Sequence, residues 1–161
     1  MRALVTGAGG SVGRAFVSWL HRNYPSVEVH GTVRPGITIA GLQELDWTIS
    51  IPPGRIHPVH LDGDIDAVRR AIEEAQPDVV WHFAGWARVR ESFDRPRDYW
   101  VNNTLGTAGL LEALRLVTPK AKLILASTSE VYGVGLEGGP PQDETTPLAP
   151  ISPYAASKIA T

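Results

Sequence analysis

The chain has 161 residues, of which 43% are hydrophobic and 20% charged, and its net charge is −2. We expect one domain with a buried core, and we expect no general attraction for nucleic acid or for an anionic membrane. The lack of cysteine excludes disulfides, thiolate metal sites and a cysteine nucleophile. Without a long apolar run or a signal-peptide pattern, the sequence predicts a cytoplasmic protein with no membrane span.

Short apolar runs alternate with helical periodicities along the chain. In chain order they predict a strand at 3–6, a helix at 12–24, a strand at 27–33, an irregular connection at 34–55, a strand at 56–61, a helix from Asp64 to about 75, a strand at 78–83, a helix at 97–117, a strand at 121–126, a loop at 133–153 and a helix from Tyr154. Strands that alternate with helices predict a doubly wound parallel sheet in a three-layer α/β/α arrangement, with strand order 3-2-1-4-5.

Each of three predicted helices has an apolar face that should pack on the sheet. The expected buried positions are Val12, Phe16, Trp19 and Leu20 in the first helix, Val68, Ala71 and Ile72 in the second, and Leu110, Leu111, Leu114 and Val117 in the long one.

A glycine-rich turn joins the first strand to the first helix. Gly7 suits a tight turn, Gly10 allows a pyrophosphate to approach the backbone, and Gly13 allows the helix to pack closely on the strand. The helix N-terminus, with Ser11 and Val12, then offers amides and a positive dipole to phosphates. The pattern predicts dinucleotide binding, although such glycines also occur in ordinary strand-to-helix turns.

The end of the second strand bears on the choice of cofactor. NAD-binding folds place an acidic residue there to hold the ribose 2′-hydroxyl, whereas this chain has Arg34. A guanidinium suits bidentate contact with a 2′-phosphate, so the sequence favours NADP over NAD. The alternative is that Arg34 is a solvated loop residue.

The C-terminal helix carries the pair Tyr154 and Lys158, which a helix places one turn apart on one face. A free tyrosine has a pKa of about 10, and a neighbouring ammonium lowers it by stabilising the phenolate. The pair could therefore remove a proton from a sugar hydroxyl. Taken alone, Tyr and Lys at this spacing are more often surface residues.

Hydroxyl and carboxylate side chains follow the fifth predicted strand. Thr128 could hold a sugar oxygen, and Glu130 could move a second proton, because ligands of such sheets bind beyond the carboxyl ends of the strands. The alternative is that these residues only cap the strand and form a turn.

Five motifs together resemble the extended short-chain dehydrogenase/reductase family, in particular its nucleotide-sugar epimerases and dehydratases. They are TGAGGSVG at 6–13, HFAGWARV at 82–89, NTLGT at 103–107, ASTSEVYG at 126–133 and SPYAASK at 152–158. The resemblance implies a Rossmann-type domain with Thr128 as the substrate-polarising hydroxyl, Tyr154 as the base and Lys158 as its helper. It also implies that the cofactor contacts Ala84, Gly85, Asn103, Tyr154 and Lys158, with Asp62, or nearby Asp64, beside the adenine.

Within the family, the motif around Glu130 is similar to those of GDP-mannose 4,6-dehydratases and UDP-glucuronate decarboxylases, in which the glutamate is an acid/base. The resemblance to the GDP-mannose dehydratases, which the second strand shares, implies oxidation at C4 followed by loss of water. GDP-4-keto-6-deoxymannose reductases and UDP-glucuronate decarboxylases are the alternatives. The implied partners are a GDP- or UDP-sugar and a second copy of the chain, with Leu110 and Leu114 shared between the core and that copy.

Members of the family are much longer than this chain, so the resemblance implies a domain truncated before a C-terminal substrate domain. We therefore expect residues 1–161 to form an NAD(P)-binding domain that carries Tyr154 and Lys158 and is inactive alone. The alternative of another class is a non-catalytic dinucleotide-binding domain. His57, His60 and His82 lack the spacing of metal ligands, and we expect them to be structural, with no metal site.

Overall fold

The computed structural model describes residues 1–36, 51–135 and 140–161. Most of the irregular connection predicted at 34–55 therefore lies outside the described residues. The chain forms two compact units. The first consists of residues 1–85 and 109–126, and the second of residues 86–108 and 127–161.

The first unit contains a five-stranded sheet in the order β3-β2-β1-β4-β5, and every strand pairing is parallel. The predicted strand order is confirmed. The strands are β1 (Arg2–Thr6), β2 (Glu28–Val33), β3 (Ile56–Pro58), β4 (Val79–His82) and β5 (Lys122–Leu125).

Helices cover both faces of this sheet, so the predicted three layers are confirmed. Leu4 and Val5, adjacent in β1, belong to two different apolar clusters because successive side chains of a strand point to opposite faces. The cluster around Val5 includes residues of α1 (Ser11–Asn23), and the cluster around Leu4 includes residues of α2 (Ile65–Ala75) and α5 (Gly106–Val117).

The predicted apolar face of α1 was partly wrong. The helix buries Gly13, Val17 and Leu20, whereas Val12 is 62% exposed and Trp19 is 44% exposed. The buried face is set by Gly13, where the helix passes closest to the glycine turn. Apolar spacing alone does not reveal that constraint, because glycine has no side chain.

The other helices of the first unit follow the predictions more closely. Asp64 caps α2 by accepting a hydrogen bond from the Ala67 amide at 2.8 Å, and all three expected residues of α2 are buried. In α5, Leu110 and Leu114 lie in the core, which leaves little of either side chain for a second copy. Leu111, expected on the same face, is 46% exposed.

The second unit is helical. It contains α3 (Val89–Asp94), α4 (Pro96–Tyr99), a π-helical segment at Trp100–Leu105 that leads into α5, a 3₁₀ turn at Ser129–Tyr132, and α6 (Pro153–Ala160). The uniform helix predicted at 97–117 is therefore interrupted by wider π turns. Among the described helices, none has both the length and the apolar character needed to cross a bilayer.

Candidate active site

The glycine turn joins β1 to α1 at the carboxyl end of the sheet. Gly7 has a φ of +68°, a conformation that favours glycine. Its amide donates to the Thr32 hydroxyl at 3.3 Å, and the amide of Ala8 donates to the Thr32 carbonyl at 2.9 Å. A Cβ at Gly7 would lie 2.8 Å from the amide nitrogen of Ala84. The turn is thus held against the ends of both neighbouring strands.

The third glycine brings helix and turn into close contact. A Cβ on Gly13 would overlap the Gly7 carbonyl oxygen and lie 2.9 Å from Cα of Ala8. At Gly10 the nearest atom, the Gly7 carbonyl oxygen, would be 3.2 Å away. No side chain caps α1, and its first turn carries no acidic residue. This arrangement fits the pyrophosphate of a dinucleotide, which needs close backbone approach and a positive helix end.

Arg14 follows the third glycine directly, and the sequence interpretation did not single it out. Its Nε and Nη1 atoms are buried and have no hydrogen-bond partner among the described residues. Buried guanidinium nitrogens without a partner are unusual, because their desolvation is not compensated. The sequence signal that could have found it is the absence of any acidic residue from positions 1–27.

Three further residues expected near the adenosine also lie in the first unit. Arg34 follows β2 directly and is exposed. Asp62 lies beside His60, with their closest charged atoms 3.9 Å apart. The carboxylate of Asp64 is already engaged as the cap of α2.

The buried histidines form hydrogen bonds within the sheet. His82 Nδ1 lies 2.6 Å from the Thr6 hydroxyl, and His30 Nδ1 lies 3.0 Å from His57 Nε2. Glu74 reaches Nδ1 of His57 at 3.2 Å. Burial lowers the pKa of His57, and the neighbouring His30 adds to that effect. In the described part of the chain, no group of three or more side chains is placed to hold a metal ion.

In the second unit, α6 carries the Tyr–Lys pair. Ser152 caps the helix by accepting from the Ala155 amide at 3.0 Å, and Pro153 fits the first helical position. Tyr154 is only 8% exposed, and Lys158 is half-buried. Burial lowers the pKa of the Lys158 ammonium. The burial of Tyr154 argues against the alternative that the pair is an ordinary surface pattern.

A buried asparagine links α6 to the π-helical segment. Asn103 accepts from the Trp86 amide at 2.8 Å and donates to the Trp86 carbonyl at 3.1 Å and to the Ser157 hydroxyl at 3.0 Å. Ser157 in turn donates to the Tyr154 carbonyl at 2.7 Å, and Thr104 donates to the Ser157 carbonyl at 3.2 Å. These bonds fix the helix from which Tyr154 and Lys158 project.

The segment after β5 meets the start of the same helix. Thr128 begins the 3₁₀ turn and accepts from the Glu130 amide at 3.3 Å. The Ser152 hydroxyl donates to the Glu130 carboxylate at 3.4 Å. The structure therefore brings Glu130 to the N-terminus of the helix that carries Tyr154. Both alternatives for Thr128 stay compatible with this geometry, because a capping hydroxyl can also accept a ligand's hydrogen bond.

Comparison with known proteins identifies similar sequences over nearly the whole chain. The family model described as GDP-mannose 4,6 dehydratase matches residues 4–161. A GDP-mannose 4,6-dehydratase of Vibrio cholerae is 36% identical over 98% of the chain and 42% of its own length. A dTDP-glucose 4,6-dehydratase of Xanthomonas campestris is 35% identical over 98% of the chain and 46% of its own length.

The solved structures include similar proteins. A Thermus thermophilus UDP-glucose 4-epimerase in complex with NAD superposes with a TM-score of 0.83 and 36% identity, covering 99% of this chain and 48% of the epimerase. The chain spans less than half the length of these relatives. By the match of the family model over nearly the whole chain, it belongs to the family of NAD(P)-dependent nucleotide-sugar dehydratases and epimerases of the short-chain dehydrogenase/reductase type.

Proposed function

We propose that this chain supplies the cofactor site and the proton-transfer residues of an NADP-dependent GDP-mannose 4,6-dehydratase. The observation that carries the proposal is the hydrogen bond between Glu130 and Ser152, which joins a carboxylate to the helix of Tyr154 and Lys158. Hydride transfer alone needs only the Tyr–Lys pair, whereas elimination of water needs a second acid/base group. A carboxylate at this point favours a dehydratase.

The cofactor would lie on the glycine turn, with its pyrophosphate over the backbone of Gly10, Ser11 and Val12 and its adenosine towards Arg34 and Asp62. The chemistry that a bound cofactor would supply here is reversible hydride transfer with the sugar. The uncapped, acid-free start of α1 supports binding of the phosphates. Ala84 and Gly85, which follow β4, would line the same carboxyl end of the sheet.

Tyr154 would remove the proton of the sugar 4-hydroxyl as C4 is oxidised. Lys158 would stabilise the phenolate. Its ammonium is half-buried, and burial lowers its pKa, so an anion beside it would favour the charged form. Thr128 would hydrogen-bond the oxygen at C4. Asn103 acts as a positioning residue, because its amide bonds to Trp86 and Ser157 fix the tyrosine helix.

Glu130 would take the C5 proton of the 4-keto sugar and deliver a proton to the hydroxyl that leaves C6 as water. The test is turnover by the native polypeptide that carries these residues. It should convert GDP-mannose to its 4-keto-6-deoxy product, in preference to dTDP-glucose, UDP-glucose and UDP-glucuronate. Preference for another of these sugars, or absence of turnover with all four, would contradict the proposed substrate.

The glycine turn provides a test of cofactor binding by the chain itself. Gly10→Ala should lower the affinity for both NADP⁺ and NAD⁺ by about 10-fold or more, because a methyl group there obstructs the approach of the pyrophosphate to the backbone. The added Cβ would lie 3.2 Å from the Gly7 carbonyl oxygen, so we expect that oxygen to shift by a few tenths of an ångström and the fold to persist, which thermal unfolding checks. Isothermal titration with both cofactors measures this. Gly54→Ala, where a Cβ meets nothing within 4 Å, is the matched control. Unchanged affinity in Gly10→Ala would place the pyrophosphate elsewhere.

Glu130→Gln separates a dehydratase from a reductase. The glutamine cannot take the C5 proton, so we expect 4-keto sugar to accumulate while dehydration slows by about 100-fold or more. Mass spectrometry of the products, with and without borodeuteride trapping, follows both stages. Glu144→Gln, an exposed change in the same unit, is the control and should behave as the unmodified protein. Full dehydration by Glu130→Gln would rule out the role assigned to Glu130.

A further inference from the structure

We infer that Arg14 is a specificity-determining residue that binds the 2′-phosphate of the cofactor together with Arg34. This inference rests on the proposed function, because it assumes that the glycine turn holds a dinucleotide. No motif of the sequence interpretation assigns a role to Arg14.

The first observation is the state of the Arg14 side chain. Both Nε and Nη1 are removed from water, and neither has a hydrogen-bond partner among the described residues. The side chain forms no ion pair in the described ranges either. Buried guanidinium nitrogens of this kind are costly unless an acceptor compensates them. A bound phosphate would supply both the charge and the acceptor oxygens.

The second observation is where α1 places the residue. Phe16 packs its ring against Trp81 and Phe83, at centroid distances of 5.1 and 5.2 Å, and so marks the side of the helix that faces β4. Successive helical residues turn by about 100°, which sets Arg14 about 200° from Phe16. Because β1 lies between β4 and β2, Arg14 is on the β2 side of the helix.

The third observation concerns the strand on that side. The glycine turn is bound to the end of β2 through the backbone and hydroxyl of Thr32. Arg34 lies two residues further along, exposed and without an ion pair among the described residues. Both arginines therefore lie near the carboxyl end of the sheet, Arg14 in the first turns of α1 and Arg34 just after β2. In dinucleotide-binding folds, the ribose that carries the 2′ group lies between the turn and the second strand.

The charges of this region favour a strongly anionic ligand. Positions 1–43 contain one acidic residue, Glu28, at the amino end of β2. Its carboxylate is engaged by His30 at 3.2 Å and by Arg55 at 3.7 Å. No carboxylate is present at the end of β2 to bind a free 2′-hydroxyl. Two arginines, combined with the absence of any acidic residue from positions 29–43 of the sequence, suit a phosphate dianion.

The experiment measures nucleotide binding by titration calorimetry with four probes: NADP⁺, NAD⁺, 2′,5′-ADP and 5′-ADP. The last two distinguish contacts with the 2′-phosphate from contacts with the pyrophosphate. The probe 2′,5′-ADP carries a 2′-phosphate but no pyrophosphate, whereas 5′-ADP carries a pyrophosphate but no 2′-phosphate. Arg14→Met keeps the length of the side chain and removes the charge. We expect it to lower affinity for NADP⁺ and 2′,5′-ADP by about 10- to 100-fold, and to change NAD⁺ and 5′-ADP by about 2-fold at most. Arg22→Met, at the exposed end of the same helix, is the control and should leave all four affinities unchanged.

A second readout needs no ligand. If Arg14 serves a phosphate, Arg14→Met should unfold at the same temperature as the unmodified chain or higher, because it removes two buried nitrogens that have no hydrogen-bond partner. A lower unfolding temperature would assign Arg14 a structural role and overturn the inference.

The outcomes also separate this inference from the proposed function. Equal losses for 5′-ADP and 2′,5′-ADP would assign Arg14 to the pyrophosphate, and unchanged affinities would remove it from the site. Either result overturns the inference while cofactor binding stands. If the unmodified chain binds none of the four nucleotides, the cofactor site itself is refuted, and the role of Arg14 with it.

Discussion

Gly13→Ala is expected to destabilise the fold by about 3 kcal/mol, at the upper end of the cost of overpacking. The added methyl would overlap the Gly7 carbonyl oxygen and lie 2.9 Å from Cα of Ala8. Both neighbours are backbone atoms and cannot move aside as a flexible side chain can. Helix propensity acts in the opposite direction, since alanine is favoured over glycine by about 1 kcal/mol within a helix. A measured loss would therefore show that the close contact of helix and turn dominates.

Urea unfolding followed by tryptophan fluorescence measures this effect. Gly63→Ala is the matched control, because a Cβ there meets nothing within 4 Å, and its stability should change by about 0.5 kcal/mol at most. The loss of stability in Gly13→Ala should be accompanied by loss of NADP⁺ binding, since the same turn forms both. If Gly13→Ala is as stable as the unmodified chain, the turn must relax easily, and the packing described for it is incorrect.

Tyr154→Phe is expected to lower kcat of the native polypeptide by about 100- to 10,000-fold, the range that general acid–base catalysis contributes. The change removes only the phenolic oxygen, which has no hydrogen-bond partner among the described residues. The ring would keep its edge-to-face contact with Tyr99, at 6.3 Å between centroids. Stability and cofactor affinity should therefore be preserved while the proton transfer at C4 is lost.

Steady-state assays with GDP-mannose, combined with cofactor titration, separate these effects. Tyr24→Phe, at the exposed C-terminal end of α1, serves as the control and should retain full activity. A parallel loss of cofactor affinity in Tyr154→Phe would indicate that the hydroxyl serves binding. Substantial turnover would mean that another group removes the proton.

Much of the fold could be predicted because its signals are local. Buried parallel strands appear in the sequence as short apolar runs, and the rule of right-handed crossovers leaves few ways to order them. The observed order β3-β2-β1-β4-β5 confirms that prediction. The cap at Asp64 and the glycine turn were predictable for the same reason, since each depends on residues only a few positions apart.

The candidate site was predictable in part. The positions of Gly7, Gly10, Gly13, Tyr154 and Lys158 follow from motifs whose spacing matches a turn or a helix. The sequence did not predict the hydrogen bond between Glu130 and Ser152, which joins residues 22 positions apart. It also did not predict the link from Asn103 to Ser157, across 54 positions. Contacts between residues so distant in sequence depend on the tertiary path of the chain, which local sequence patterns do not determine.

The sequence by itself determined the class of fold, the order of its strands and the presence of a turn suited to a dinucleotide. Only the tertiary structure decided which face of α1 is buried, where the long helix widens into π turns, and that two nitrogens of the Arg14 guanidinium are buried without a hydrogen-bond partner. The physical reason is the same in each case. Propensity and apolar spacing act within a few residues, whereas burial and hydrogen bonding depend on segments that are distant along the chain.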